Sequence, residues 1–370
     1  MSTSNKSPLY LEYLEQFKTS PPLENSKITN STALFTIFLL LLAFGSLSIA
    51  LLGDIKKKNF ITFLLNSIVA SISVGYMVAR AQQDEYALDS NIYELTARNF
   101  DKVIHGTNHT SIVKFYAPWC GYCQQLKPIW TKLGKALGSP SSKLNYNIAS
   151  VNCDKDVNKQ LCAQYQIRGF PTVMVFRPPK YDKSKVNSKR SRHASEVYNG
   201  ERNVKAITNF LNSRLKNYVK KLHNFEDDLS NWLNEEKEQG KILLVSSSNQ
   251  ISPLLKSIAI DFLSKLNFAA IGKLNKETIN VTNSTTKIPA SEKSTLIYFD
   301  PSKDEIEIYT ETDKLNDKIK IEEWILKVSG IKPVEGVLSE KGKKLAKYRL
   351  PSTNKSKKST KKTKVDHDEL

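Results

Sequence analysis

An α/β fold is expected for this chain of 370 residues, and two patterns carry the expectation. The run from Ser111 to Tyr116 reads as a buried strand, and Leu126, Ile129, Trp130, Leu133 and Leu137 follow it at the spacing of an amphipathic helix that starts near Cys120. A second alternation of strand and helix signals lies between about Asn217 and Val337. It comprises a strand at Ile242 to Ser246, a helix from Pro253 to Leu266, strands at Thr295 to Phe299 and Glu305 to Tyr309, and a helix around Ile319 to Val328. A hydrophobic content of 40% supports two cores of ordinary size once the ends of the chain are set aside.

The N-terminal segment, residues 1–81, is of another kind. Uncharged apolar runs extend from Ala33 to Gly53 and from Phe60 to Ala79, separated by Asp54-Ile55-Lys56-Lys57-Lys58, and each is long enough to cross a bilayer. Residues 54–81 have the layout of a signal peptide: basic Lys56 to Lys58, an apolar stretch, and a small-x-small site at Ala79-Arg80-Ala81. Cleavage after Ala81 would leave a soluble lumenal protein. Residues 33–79 alternatively form a membrane hairpin whose Lys56 to Lys58 loop faces the cytosol under the positive-inside rule. The signal-peptide layout is unusual in its position, because no methionine lies between Met1 and Met77.

The chemistry is concentrated at Cys120 and Cys123. Cys120 falls at a strand-to-helix turn, where free backbone N–H groups and the positive end of the helix dipole favour an anion, so its thiol is expected to ionise below the usual value of about 8.5. Cys123 follows one helical turn later on the same face, set deeper against the fold. Cys120 is therefore the expected nucleophile and Cys123 the resolving thiol. Half of a zinc site would need two further ligands at suitable spacing. Cys153 and Cys162 do not form a second such pair and no His-x-x-x-His accompanies them, so redox chemistry without metal or cofactor is expected.

The segment Phe115-Tyr116-Ala117-Pro118-Trp119-Cys120-Gly121-Tyr122-Cys123 resembles the thioredoxin superfamily and, within it, the protein disulfide isomerases. Their signature Phe-Tyr-Ala-Pro-Trp-Cys-Gly-His-Cys agrees at eight of nine positions. The resemblance continues through Val151-Asn152-Cys153-Asp154, Leu161-Cys162-Ala163-Gln164-Tyr165, Gly169-Phe170-Pro171-Thr172 and Val175-Phe176-Arg177-Pro178-Pro179. In that last stretch it looks like the small fungal isomerase homologues with one catalytic thioredoxin domain. It implies a catalytic thioredoxin fold over residues 86–218, with a cis-proline, Pro171, facing the dithiol; proline tolerates the cis form far better than other residues do. Trp119, Tyr122 and Pro171 are then expected to meet substrate, the backbone beside Pro171 pairing with an extended polypeptide.

Two positions depart from the family. Tyr122 replaces the histidine between the cysteines, and a phenol donates a hydrogen bond but brings no positive charge. The expected dithiol is less oxidising and weighted towards reduction and isomerisation. Lys114 stands where the family has a buried glutamate that helps move the proton of the resolving thiol. It does the same if desolvation leaves it partly neutral, or else snorkels to solvent and tunes nothing. Arg168 matches a family arginine that tunes the resolving thiol, and also suits a surface ion pair. Cys153 and Cys162 admit a second redox centre or a structural disulfide; the sequence around them is similar to that of family members carrying such a bridge.

Residues 219–337 contain no cysteine and, by order of elements, look like a redox-inactive thioredoxin-like domain that binds polypeptide or serves as a spacer. Residues 338–370 are expected to be a basic disordered tail ending in His367-Asp368-Glu369-Leu370, a retrieval signal read by a receptor of the endoplasmic reticulum. Asn108, Asn280, Asn283 and Asn354 are candidate glycan acceptors. The formal net charge of +18 gathers largely in the insertion Lys180 to Arg192 and the tail Asn354 to Lys364, and a lumenal location argues against a nucleic-acid partner.

The expected protein is thus a protein disulfide isomerase of the endoplasmic reticulum lumen. Its expected partners are unfolded or disulfide-bonded secretory polypeptides, the retrieval receptor and lumenal chaperones, with membrane attachment only if the hairpin is retained. The alternative is a polypeptide-binding chaperone or chaperone adaptor with a minor redox role.

Overall fold

The computed structural model describes residues 65–73 and, apart from short internal stretches, residues 84–349. The chain divides into two compact units, one of residues 1–19 and 86–351, the other of residues 20–85 and 352–370. Of the second unit a helix over residues 65–73, α1, belongs to the described part, with Leu65, Ile68, Val69 and Ile72 exposed. The cleavage site, most of both apolar runs and the signal at His367 to Leu370 lie outside the described residues. Among the described residues no helix is long and apolar enough to cross a membrane.

The first unit holds two five-stranded sheets. The first uses β1 (Tyr93–Leu95), β2 (Ser111–Tyr116), β3 (Asn147–Asn152), β4 (Thr172–Arg177) and β5 (Ala194–Val197) in the order β1-β3-β2-β4-β5. β1, β3 and β2 run parallel, and β4 and β5 are antiparallel additions. The second sheet uses β6 (Val219–Leu222), β7 (Lys241–Val245), β8 (Asn267–Ile271), β11 (Thr295–Phe299) and β12 (Ile306–Ile308) in the order β6-β8-β7-β11-β12, with β9 (Ile279–Asn280) and β10 (Lys287–Ile288) forming a separate ribbon. Its pairings repeat those of the first sheet strand for strand, parallel on one side and antiparallel on the other. Two thioredoxin-like folds in series follow from that repetition.

Helices cover both faces of each sheet. In the first fold α2 (Gly121–Leu133) and α4 (Val204–Arg214) pack Leu126, Trp130, Ile207 and Leu211 on one face, against Ile112 and Val175, while α3 (Asp156–Gln164) packs Leu161 and Cys162 on the other, against Phe115 and Val151. β2 is buried along its whole length, and alternation sends Ile112, Lys114 and Tyr116 to the α2 face and Val113 and Phe115 to the α3 face. In the second fold α5 (Asp227–Asn234) lies on one face, and α6 (Pro253–Asp261) and α7 (Lys318–Ser329) on the other. The place that Cys120 occupies in the first fold, at the head of the helix after the central strand, is taken by Ser252, which caps α6.

The boundaries differ from the sequence reading where backbone geometry intervenes. The helix expected to reach Leu137 is regular to Leu133 and widens over Gly134–Gly138, where buried Gly134 and Gly138 leave no room for a Cβ beside Ile92 and the Asn91 carbonyl. The helix expected to run to Leu266 ends at Asp261, because Ser264 takes a left-handed backbone (φ 68°) that turns the chain towards β8. The tail expected to be disordered from 338 is folded as far as Arg349. Ser339 caps α8 (Glu340–Ala346), and beyond it Tyr348 packs on the first fold's core while Arg349 stacks over the Tyr93 ring at 4.1 Å. Residues 350–370 lie outside the described residues.

Candidate active site

β2 delivers the chain to a tight turn at Ala117 to Trp119, where the N–H of Cys120 donates to the Ala117 carbonyl at 3.1 Å. Cys120 keeps an extended backbone (φ −79°, ψ 118°) and α2 begins at the next residue. The N–H groups of Cys123 and Gln124 donate to the Cys120 carbonyl at 3.0 and 3.1 Å, so the helix ladder starts on the nucleophile candidate itself. Both thiols are free; Cys120 is half-buried and Cys123 is buried completely.

The rim of the site comes from distant segments. The peptide Phe170–Pro171 is cis, and the Cys120 thiol donates to the Phe170 carbonyl at 3.4 Å. The Trp119 indole is 66% exposed, yet it is held in place: Nε1 donates to Asp154 Oδ1 at 3.0 Å and the ring meets Phe170 edge to face at 6.1 Å. Tyr122 is 68% exposed. Trp119, Cys120 and Pro171 thus share one face of the domain. Arg168 is exposed on the loop before Gly169 and makes no ion pair among the described residues.

The floor of the site departs from a plain apolar core. Lys114 is fully buried, which removes the snorkelling alternative. Its Nζ donates to the Tyr86 hydroxyl at 2.8 Å and to the Cys123 carbonyl at 3.1 Å. Burial pushes the Cys123 thiol up to about 12, the adjacent Cys120 adds to the rise, and a backbone hydrogen bond at Ala117 and the charge of Lys114 work against it. Sequence reasoning missed Tyr86 and Glu94 on this floor, and Asp154 on the rim. Asp154 stands in a motif segment already singled out, next to Cys153, whereas nothing in the sequence pattern separates Tyr86 or Glu94 from ordinary surface residues.

Cys153 and Cys162 are joined in a disulfide with a Cα–Cα distance of 6.0 Å, pinning the end of β3 to α3. They are therefore spent as thiols in this structure and stand apart from the Cys120 and Cys123 pair. Among the described residues no group of three His, Cys, Asp or Glu side chains is placed to hold a metal ion.

A reduced dithiol at a helix start, with one thiol accessible and one buried, beside a cis-proline loop on a thioredoxin-like sheet, defines a thiol–disulfide oxidoreductase. The thioredoxin family profile matches residues 91–212. The chain belongs to the protein disulfide isomerase family: protein disulfide-isomerase MPD1 of Saccharomyces cerevisiae is 38% identical over 325 residues, covering 83% of this chain and 99% of that protein. Protein disulfide-isomerase 1 of Dictyostelium discoideum is 37% identical over 132 residues, 36% of this chain and 32% of that protein. Among solved structures, the crystal structure of ERdj5 form II covers 67% of this chain and 30% of its own, at 20% identity and a TM-score of 0.46.

Proposed function

We propose that the chain forms, reduces or rearranges disulfides in folding secretory polypeptides within the lumen of the endoplasmic reticulum. The unequal exposure of the two thiols carries the reading: Cys120 reaches solvent and Cys123 does not. The Cys120 thiolate attacks one sulfur of a substrate disulfide, and the second substrate sulfur leaves as a thiolate. Two routes then open. The released thiolate attacks elsewhere and rearranges the substrate, or Cys123 attacks the Cys120 sulfur, closing the Cys120–Cys123 disulfide and freeing a reduced substrate. Because burial keeps Cys123 protonated at neutral pH, the mixed disulfide lives longer and rearrangement gains time over release.

The retrieval signal His367-Asp368-Glu369-Leu370 supports the lumenal location, and the Cys153–Cys162 disulfide suits an oxidising compartment. Pro171, with the carbonyl of Phe170 beside Cys120, supplies the backbone edge on which an extended substrate would lie, flanked by Trp119 and Tyr122. Refolding of a scrambled, disulfide-bonded substrate tests the reading. The combined Cys120→Ser and Cys123→Ser variant is expected to lose rescue, and retention of wild-type rescue would overturn the enzymatic assignment in favour of a chaperone without redox work.

A further inference from the structure

Strand β2 carries one ammonium group into the core. Lys114 lies between Val113 and Phe115 in a strand buried along its length, on the face covered by α2. Taking an ammonium out of water costs several kcal/mol unless partners compensate it, and an apolar side chain of similar length would avoid that cost. Dedicated partners are present. Nζ donates to the Tyr86 hydroxyl at 2.8 Å and the Cys123 carbonyl at 3.1 Å, and it lies 5.0 Å from the ring centroids of both Tyr86 and Tyr116.

A carboxylate shares its row of the sheet. Register aligns Glu94 of β1 with Ser150 of β3, and Ser150 with Lys114 of β2, so the three share one row across the sheet. At the β1 end of that row the Glu94 carboxylate accepts from the Ser150 hydroxyl at 2.9 Å, the Tyr116 hydroxyl at 3.1 Å and the Tyr86 N–H at 3.2 Å. The ammonium reaches beneath the first turn of α2, where the Cys123 carbonyl accepts from it at 3.1 Å. The contact with the Cys123 carbonyl brings the cation to the residue whose thiol must ionise, and positive charge beside a thiol favours its thiolate.

We propose that Lys114 is a positioning residue of the resolving step: its buried ammonium stabilises the Cys123 thiolate that attacks the mixed disulfide at Cys120. In that step the Cys123 sulfur bonds to the Cys120 sulfur, the bond between Cys120 and the substrate sulfur breaks, and the electron pair leaves with the substrate as a thiolate. The Cys123 proton passes to water or to the departing thiolate. The charge of Lys114 acts against the rise that burial imposes on Cys123. This assignment rests on the proposed exchange cycle, but its test needs no protein substrate.

The reduced full-length chain reacts with an aromatic disulfide that releases a coloured thiolate, 5,5′-dithiobis(2-nitrobenzoate), in two phases: attack by Cys120, then closure by Cys123. Lys114→Gln keeps a donor for Tyr86 and the Cys123 carbonyl but removes the charge, and Lys114→Arg keeps the charge while altering the packing. The Gln variant is expected to slow the second phase roughly tenfold between pH 7 and 9, with the first phase nearly unchanged as the control for folding. The Arg variant is expected to retain most of the second-phase rate. An unaffected second phase in the Gln variant, or an equal loss in both variants, would overturn the assignment and reduce Lys114 to a packing residue. Loss of refolding activity in the Cys120→Ser and Cys123→Ser protein bears only on the exchange cycle, so the two ideas fail separately.

Discussion

Tyr122 stands between the two cysteines with its ring turned to solvent, 68% exposed. It adds apolar surface to the rim without adding positive charge near Cys120. An imidazolium at that position would stabilise the Cys120 thiolate, and with it the reduced dithiol, which makes the corresponding disulfide a stronger oxidant. Tyr122→His is therefore expected to raise the reduction potential of the Cys120–Cys123 couple, measured by equilibration against glutathione buffers of known ratio. An unchanged potential would remove Tyr122 from any account of the redox poise. Trp119 differs from Tyr122 in that Asp154 and Phe170 hold its indole, so the surface proposed to meet a polypeptide is already ordered.

Asp154 owes its own position to the element behind it. The Cys153–Cys162 disulfide ties the end of β3 to α3 across nine residues, and closing a loop of that size stabilises the folded chain by roughly 2–3 kcal/mol through the entropy it removes from the unfolded one. Cys153→Ala with Cys162→Ala should lower the urea midpoint of the full chain accordingly, and a midpoint that does not move would show that other contacts already constrain this loop. Elements of this kind were unequally legible. β2 and α2 stood out because each has a strong period of its own, and the active-site cysteines because their chemistry is carried by contiguous residues. β5, with the sequence Ala-Ser-Glu-Val and three exposed positions, exists through its ladder to β4 and leaves almost no pattern. β8 merged with the helical signal ahead of it, since only the backbone turn at Ser264 separates them. Lys114 was ambiguous because a lysine in an apolar strand can bury its stem or its charge, and the choice depends on Tyr86, which lies 28 residues away.

Across the whole first unit the two thioredoxin-like folds are joined by charges that no local pattern announces. His109, in the loop before β2, meets Asp261, at the end of α6, with Nε2 and Oδ1 2.8 Å apart over a separation of 152 residues. Lys318 of α7 pairs with the same carboxylate and lies 2.9 Å from Glu322, and Asp261, Lys318 and Glu322 are all buried. The strap that follows α7 closes over them: the N–H groups of Val334 and Glu335 donate to the Asp261 carbonyl, and Glu335 accepts from the N–H of Asn108 and pairs with Lys341. Gly342 is required there, since a Cβ would fall 1.9 Å from the Gly336 carbonyl oxygen. Burial alone would raise the Asp261 carboxyl, but Lys318 and His109 outweigh it and hold it well below the usual carboxylate range. Glu322, for which burial dominates, is held well above that range.

The signs of these shifts oppose one another. Stability drawn from Asp261 is present above the ordinary carboxylate range and disappears as pH falls through its lowered value. Stability linked to Glu322 is complete below that range and is lost as pH rises towards its raised value, because unfolding then releases a proton. The junction should therefore be firmest in mild acid and loosen towards alkaline pH. Glu322→Gln keeps a neutral side chain of the same shape and removes only the second dependence. The thermal midpoint of the full chain is expected to fall from pH 5 to pH 9 and to fall less in the Gln variant, whereas parallel curves would mean that Glu322 ionises normally in the folded protein. Asp261→Asn makes the opposite demand. It leaves Lys318 buried without its main counter-charge and should cost about 3–5 kcal/mol near pH 5, read from the same melting curves, and less towards pH 9, where Glu322, 2.9 Å away and relieved of the Asp261 charge, ionises beside Lys318.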